Sequence, residues 1–71
     1  MDENDIYKNI GRKIKFLREQ AHLTQEKLAE KSCISLDYLG KIEVNINKPG
    51  LKTIIKISKA LNIPIKEIFD F

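Results

Sequence analysis

An all-α domain of five short helices around one core is the fold class this sequence predicts. Three observations predict it. Apolar residues recur every three or four positions in several separate windows, the spacing that lines one face of a helix. Residues that start helices and residues that break them punctuate those windows at short intervals. No stretch shows the two-residue alternation of a half-buried strand, and there is no repeat or low-complexity segment.

Ile6, Ile10, Ile14, Leu17 and Ala21 share one stripe and predict a first helix about four turns long, capped by Asp5 and ended at His22. Thr24 is a good N-cap for a second helix of about two turns that carries Leu28 and Ala29, and Glu26 in its first turn suits the positive end of the helix dipole. Ser32-Cys33-Ile34 interrupts the pattern. Ser35 then caps a third helix whose inward face is Leu39 and Ile42. Asn45, Asn47 and Pro49-Gly50 mark a loop. Leu51, Ile54, Ser58 and Leu61 predict a fourth helix, flanked by Ile55 and Ile57, with Lys52, Lys56 and Lys59 on its opposite face. Asn62-Ile63-Pro64 stops it, and Ile65 to Phe69 forms a last short helix behind the proline. The expected core is Ile10, Ile14, Leu17, Leu23, Leu28, Ala29, Ile34, Leu39, Ile42, Ile54, Leu61 and Ile68.

The 71 residues leave room for one domain, and at 42% hydrophobic and 32% charged they fit neither a disordered tail nor a membrane protein. The acidic start Met1-Asp2-Glu3-Asn4-Asp5 is unlike a secretory signal, and the lone Cys33 has no partner for a disulfide, so a mature cytoplasmic chain is expected. One histidine, one cysteine, no phosphate-cradling glycine loop and no metal-spaced ligand set leave acid-base, nucleophilic and metal chemistry without parts; no enzyme, cofactor or metal is expected. Basic residues number 13 against 10 acidic, a net of +3. Their placement says more. Val44 to Lys66 holds Lys48, Lys52, Lys56, Lys59 and Lys66 and no acid, a stretch that either follows a phosphate backbone or is simply a solvated helix face. Domains this small bury only about 60% of the unfolded surface, which makes dimerisation useful.

Residues from about 25 to 43 have helix-turn-helix spacing: two short helices in direct succession, Ala29 small enough for close approach, Ile34 plugging the turn, and Leu39 and Ile42 holding the second helix to the first. The outward face of that second helix is then free to enter a DNA major groove. Leu23-Thr24-Gln25-Glu26-Lys27-Leu28-Ala29-Glu30-Lys31, Ile34-Ser35, Tyr38-Leu39-Gly40-Lys41-Ile42-Glu43, Lys48-Pro49 and Leu51-Lys52-Thr53-Ile54 together resemble the Cro and phage-repressor (XRE) type of helix-turn-helix protein, over about Ile10 to Phe69. The resemblance implies a compact five-helix, lambda-repressor-like DNA-binding domain across residues 1–71, with a C-terminal helix at about 65–70 used for dimerisation. It further implies double-stranded DNA as partner, and a homodimeric transcriptional regulator, a repressor or a restriction-modification controller, that reads two major-groove half-sites. No small-molecule effector is evident. The alternative is a module of the same fold that chiefly holds another protein, as an antitoxin does.

By resemblance, Gln25 hydrogen-bonds a phosphate, where the plain reading is a solvent-exposed first-turn residue, and Ser35 touches phosphate as well as capping its helix. Leu36, Asp37, Tyr38 and Lys41 form the outward surface of the recognition helix. There lysine can donate to guanine O6 and N7, aspartate can accept from cytosine N4, and leucine can pack on a thymine methyl. This surface lacks the arginine, glutamine and asparagine that usually read bases. Asn45, Asn47 and Lys48 lie in the loop that approaches the DNA backbone, and Arg18 and Glu43 match a pair that bridges the first and third helices. Ile63, Ile65, Phe69 and Phe71 are too apolar for a free surface and match the dimerising end of relatives. Cys33 stands where such proteins usually have glycine; a reactive or metal-binding thiol is the sharper reading, without His or Cys partners to support it. Phe16 lies off the apolar stripe, either marking a partner surface or packing on a neighbouring segment, and His22 reads as a loop residue.

Overall fold

The first helix begins one turn earlier than Asp5 would place it. In the computed structural model, which describes all 71 residues, α1 spans Glu3–Gln20 with Asp2 as its N-cap. Asp2 Oδ1 accepts the Asp5 backbone N–H at 2.9 Å, and Asp5 Oδ2 accepts that of Asp2 at 3.4 Å. Asp5 is therefore the third residue of a reciprocal capping box rather than the cap itself. The Thr24 hydroxyl accepts from Lys27 N–H at the start of α2 (Gln25–Ser32), and the Ser35 hydroxyl from Tyr38 N–H at the start of α3 (Leu36–Glu43). A fourth helix, α4, spans Leu51–Leu61.

The expected fifth helix is a single 3-10 turn, Ile65–Glu67. Pro64 starts it from an extended conformation, and four successive i→i+3 bonds run through and just past it: Glu67 N to Pro64 O, Ile68 N to Ile65 O, Phe69 N to Lys66 O and, longest at 3.4 Å, Asp70 N to Glu67 O. Ile68 is fully buried and pins this turn to the core, which leaves no further α-helical turn behind it. The architecture is thus four α-helices and one 3-10 turn.

All four α-helices end the same way. His22, Cys33, Asn45 and Asn62 each have φ between 57° and 63°, the left-handed conformation glycine usually supplies, and none is glycine. At each end the N–H of the next residue, Leu23, Ile34, Ile46 or Ile63, returns five residues back, to Arg18, Ala29, Lys41 or Ser58 O respectively. This is the Schellman arrangement, which satisfies helix-end carbonyls. Three of the four apolar residues in that position pack on the core, whereas Ile46 stays 68% exposed.

The core is Ile10, Ile14, Leu28, Ala29, Leu39, Ile42, Ile54, Ile57 and Ile68. Leu17, Leu23, Ile34 and Leu61, expected inside, are only partly buried and border it. Ile57, expected at the edge of its stripe, is fully buried, while Leu51 is 62% exposed. The row that α4 turns inward is Ile54, Ile57, Ser58 and Leu61; Leu51, one turn earlier, lines an apolar groove with Ile6, Tyr7, Pro49 and Phe69. The buried hydroxyls of Ser32 and Ser58 donate to Leu28 O and Ile55 O. Helix α2 packs against both α3 and α4, and α1 crosses α3 at Gly11, where a Cβ would run into the Ile42 carbonyl. No helix is long and apolar enough to cross a membrane.

Candidate nucleic-acid interface

Helices α2 and α3 meet across Cys33, Ile34 and Ser35. The inner side of this unit is closed: Leu28, Leu39 and Ile42 are fully buried, and Ala29 at the contact is buried. Leu36, Asp37 and Lys41 project from the outer side of α3, with Val44 one turn further on. Lys41 Nζ lies 3.0 Å from Asp37 Oδ2, so the cation and the anion of this surface are paired. Tyr38, expected on the same surface, is half-buried and its ring packs against the core, so it belongs only in part to the outer face.

Gln25 opens α2 beside the C-terminal half of α3. Rather than projecting freely, its amide Nε2 donates to Glu43 Oε1 at 2.9 Å. Glu43 is buried and is held on both oxygens by Arg18, Nε to Oε2 at 2.8 Å and Nη2 to Oε1 at 3.1 Å, while Arg18 Nη1 donates to Leu23 O at 2.7 Å. Arg18 thereby joins α1 to α3 and to the α1–α2 turn. The hydrogen bonds to Glu43 hold the Arg18 pKa above its ordinary value against the opposing cost of desolvation. Arg18 therefore keeps its charge at every pH below the arginine range. Gly40 faces the Gln25 amide, and a Cβ there would meet it only at ordinary van der Waals distance.

Beyond α3, Asn45 is exposed in its left-handed conformation, and the N–H groups of Ile46 and Asn47 both bond Lys41 O, at 2.8 and 3.2 Å. These bonds fix the loop against the helix. Lys48 is exposed with Nζ 5.5 Å from the centroid of the Tyr7 ring, within cation-π range. Of the other lysines in the acid-free stretch, Lys56 and Lys59 gather with Lys31 around a hollow lined by Ser32 and Cys33, beside the turn that precedes α3.

The C-terminal apolar residues divide. Ile63 and Ile65 spend much of their surface on the chain's own core, while Phe69 is 41% and Phe71 51% exposed. Phe69 borders the groove shared with Ile6, Tyr7 and Leu51, and Phe71 lines a hollow with Phe16, Asn9, Arg12 and Lys13. Phe16 itself is exposed, with Lys13 Nζ 5.6 Å from its ring centroid.

Three contributors escape a reading by motif: Gly11 at the α1–α3 crossing, Tyr7 beneath Lys48, and the Gln25 to Glu43 hydrogen bond. Only Gly11 leaves a signal in the sequence. A glycine inside an otherwise regular helix costs about 1 kcal/mol against alanine, so it usually marks a close approach.

A family model described as helix-turn-helix matches residues 14–68. The immunity repressor protein of Bacillus phage phi105 is 39% identical over 83% of this chain and 41% of its own length. The control protein C.BamHI of Bacillus amyloliquefaciens is 35% identical over 96% of this chain and 85% of its own length. Among solved structures, the restriction-modification controller protein C.AhdI from Aeromonas hydrophila superposes with a TM-score of 0.86 at 32% identity, over 92% of this chain and 97% of that one. The chain spans less than half the length of the first curated relatives it matches.

Proposed function

The chain belongs to the helix-turn-helix family of Cro and phage-repressor type, and on that premise we propose that it is a sequence-specific DNA-binding transcriptional regulator, a homodimeric repressor that reads two major-groove half-sites. The observation that carries the reading is the division of α3. Its Leu39 and Ile42 side is fully buried, while Leu36 is exposed on the opposite side and the only side-chain partner of Asp37 and Lys41 is each other.

In this reading α3 lies in the major groove. Leu36 meets a thymine methyl and Asp37 and Lys41 meet base edges, with the outer rim of Tyr38 beside them. Gln25 has a second amide hydrogen to give to a phosphate while the first is held by Glu43, and the Ser35 hydroxyl, which accepts as a cap, keeps its own hydrogen to donate. Asn45, Asn47 and Lys48 follow the backbone from the fixed loop. Two copies joined through Phe69 and Phe71, with lesser parts for Ile63 and Ile65, would set two α3 helices about 34 Å apart, one turn of DNA. Similarity to C.BamHI in sequence and to C.AhdI in structure favours the narrower reading of a restriction-modification controller.

A gel shift with the DNA upstream of the protein's own gene, together with sizing in solution, tests the proposal. A dimer that binds this DNA in preference to random duplex supports it. A stable monomer that ignores the DNA even at low salt overturns it.

A further inference from the structure

The outer surface of α3 carries one cation and one anion, and they are held together: Lys41 Nζ sits 3.0 Å from Asp37 Oδ2, one helical turn apart. Folding does not need this pair. The side chains are 45% and 77% exposed, and solvent-screened pairs of this kind contribute little to stability. Nor does simple attraction to DNA need it, since an acid on a surface that meets phosphates opposes binding. The pair has a shape, however. In a G·C base pair, guanine O6 and cytosine N4 are partners in one Watson–Crick hydrogen bond and so lie about 2.9 Å apart. In the major groove O6 is an acceptor and N4 retains a donor hydrogen.

We propose that Asp37 and Lys41 read one G·C base pair as a unit, Lys41 donating to guanine O6 and N7 while Asp37 accepts from cytosine N4. The inference rests on the DNA-binding reading above. The spacing of the ion pair matches the spacing of the two base atoms, and the signs are complementary. A T·A pair also offers an acceptor next to a donor, thymine O4 and adenine N6. There, however, the thymine methyl crowds the ammonium and adenine N7 turns a second acceptor toward the carboxylate. Off its site, Asp37 keeps Lys41 neutralised and so limits its attraction to arbitrary phosphates.

The experiment first selects the preferred half-site from a random DNA pool. It then compares the wild-type protein with Asp37→Ala on that site, on the site with each G·C pair changed to T·A, and on random duplex, across a salt series. Melting of both proteins checks that the exposed substitution leaves the fold intact. Expected for the wild type is a preference of about tenfold for G·C over T·A at one position in the half-site. In Asp37→Ala that preference falls, affinity for random duplex rises several-fold, and the slope of log affinity against log salt steepens by about 0.9 as one more phosphate is engaged. Equal changes on every duplex, with no G·C position sensitive to Asp37, overturn the inference and leave the regulator reading standing. Failure of the wild type to bind any duplex at low salt overturns both.

Discussion

Gln25 and Glu43 are joined by a 2.9 Å hydrogen bond from the amide of the first to the carboxylate of the second. The residue proposed to meet a phosphate is thus anchored to the ion pair that joins α1 to α3. A surface glutamine would otherwise sample many rotamers, and holding one reduces the entropy lost on binding. The orientation of Gln25 and the ion pair of the interior therefore share one carboxylate.

Removing Arg18 tests the stability side. In Arg18→Ala the Glu43 carboxylate, 1% exposed, loses both guanidinium contacts and keeps only Gln25. Leaving one partner of a buried pair uncompensated costs about 3–5 kcal/mol, which in a domain of this size lowers the melting temperature by more than ~10 °C. Unchanged melting would contradict the burial of the pair. Because the penalty belongs to the abandoned charge, adding Glu43→Leu to Arg18→Met should recover much of the loss.

Gln25 separates the two roles. Gln25→Ala leaves Glu43 held by Arg18 and should cost only about 1 kcal/mol, while weakening DNA binding on all sequences alike. Gln25→Glu, almost the same shape, sets a carboxylate where Nε2 donates to Glu43 and should destabilise more than the alanine. Thermal melts of the two variants at neutral pH decide this. If the glutamate variant is the more stable, the Gln25 contact to Glu43 is not made.

What the sequence revealed follows the range of the interactions. Thr24 and Ser35 are legible as caps because the cap and the N–H it accepts are three residues apart, whereas at α1 both Asp2 and Asp5 qualify on that spacing and only the backbone shows that Asp2 is the cap. The inward faces of α2 and α3 were legible for the same reason, helical spacing being local. Ile57 and Leu51 fall elsewhere than expected because either alignment of an apolar stripe on α4 satisfies the period, and only the elements packed on α4, namely α2, α1 and the 3-10 turn, choose between them. The last helix was overestimated because Pro64 licenses a start but does not set a length; that depends on where Ile68 must sit. On the interface, residue types were legible but their engagement was not. The Lys41 to Asp37 pair lies within one helical turn, but that Gln25 is tied inward and Tyr38 half covered depends on how separate helices pack, Gln25 reaching a partner 18 positions away.

The helix ends supply a prediction of the opposite sign. Cys33 has φ 58° and ψ 41° at the end of α2, where a Cβ is unfavourable, and its thiol is exposed and unpaired. Cys33→Gly relieves the backbone, and Cys33→Ala removes the thiol without doing so. The glycine variant should be the more stable of the two by about 1 kcal/mol in denaturant unfolding. Equal stabilities would mean that the left-handed conformation costs nothing here.

Two glycines give the sharpest contrast, since the same substitution should act in opposite directions. At Gly11 the added Cβ meets the backbone oxygen of Ile42, which cannot move aside without shifting α3 against α1. Helix propensity favours the alanine by about 1 kcal/mol, but the overpacking penalty of about 1–3 kcal/mol, raised here because the obstacle is backbone, should exceed it. Gly11→Ala is therefore expected to be destabilised. At Gly40, inside α3, the new Cβ touches only the Gln25 side chain, at 3.8 Å or more, so the propensity gain is unopposed and Gly40→Ala should unfold later by up to about 1 kcal/mol. The fold has no steric need of a glycine at Gly40, so the same methyl should weaken DNA binding if the bare backbone beside Gln25 serves the close approach of a phosphate. Denaturant unfolding and a gel shift on Gly40→Ala measure the two effects separately. Greater stability with weaker binding places the requirement for Gly40 on the DNA side of α3, and greater stability with unchanged binding removes it from the interface.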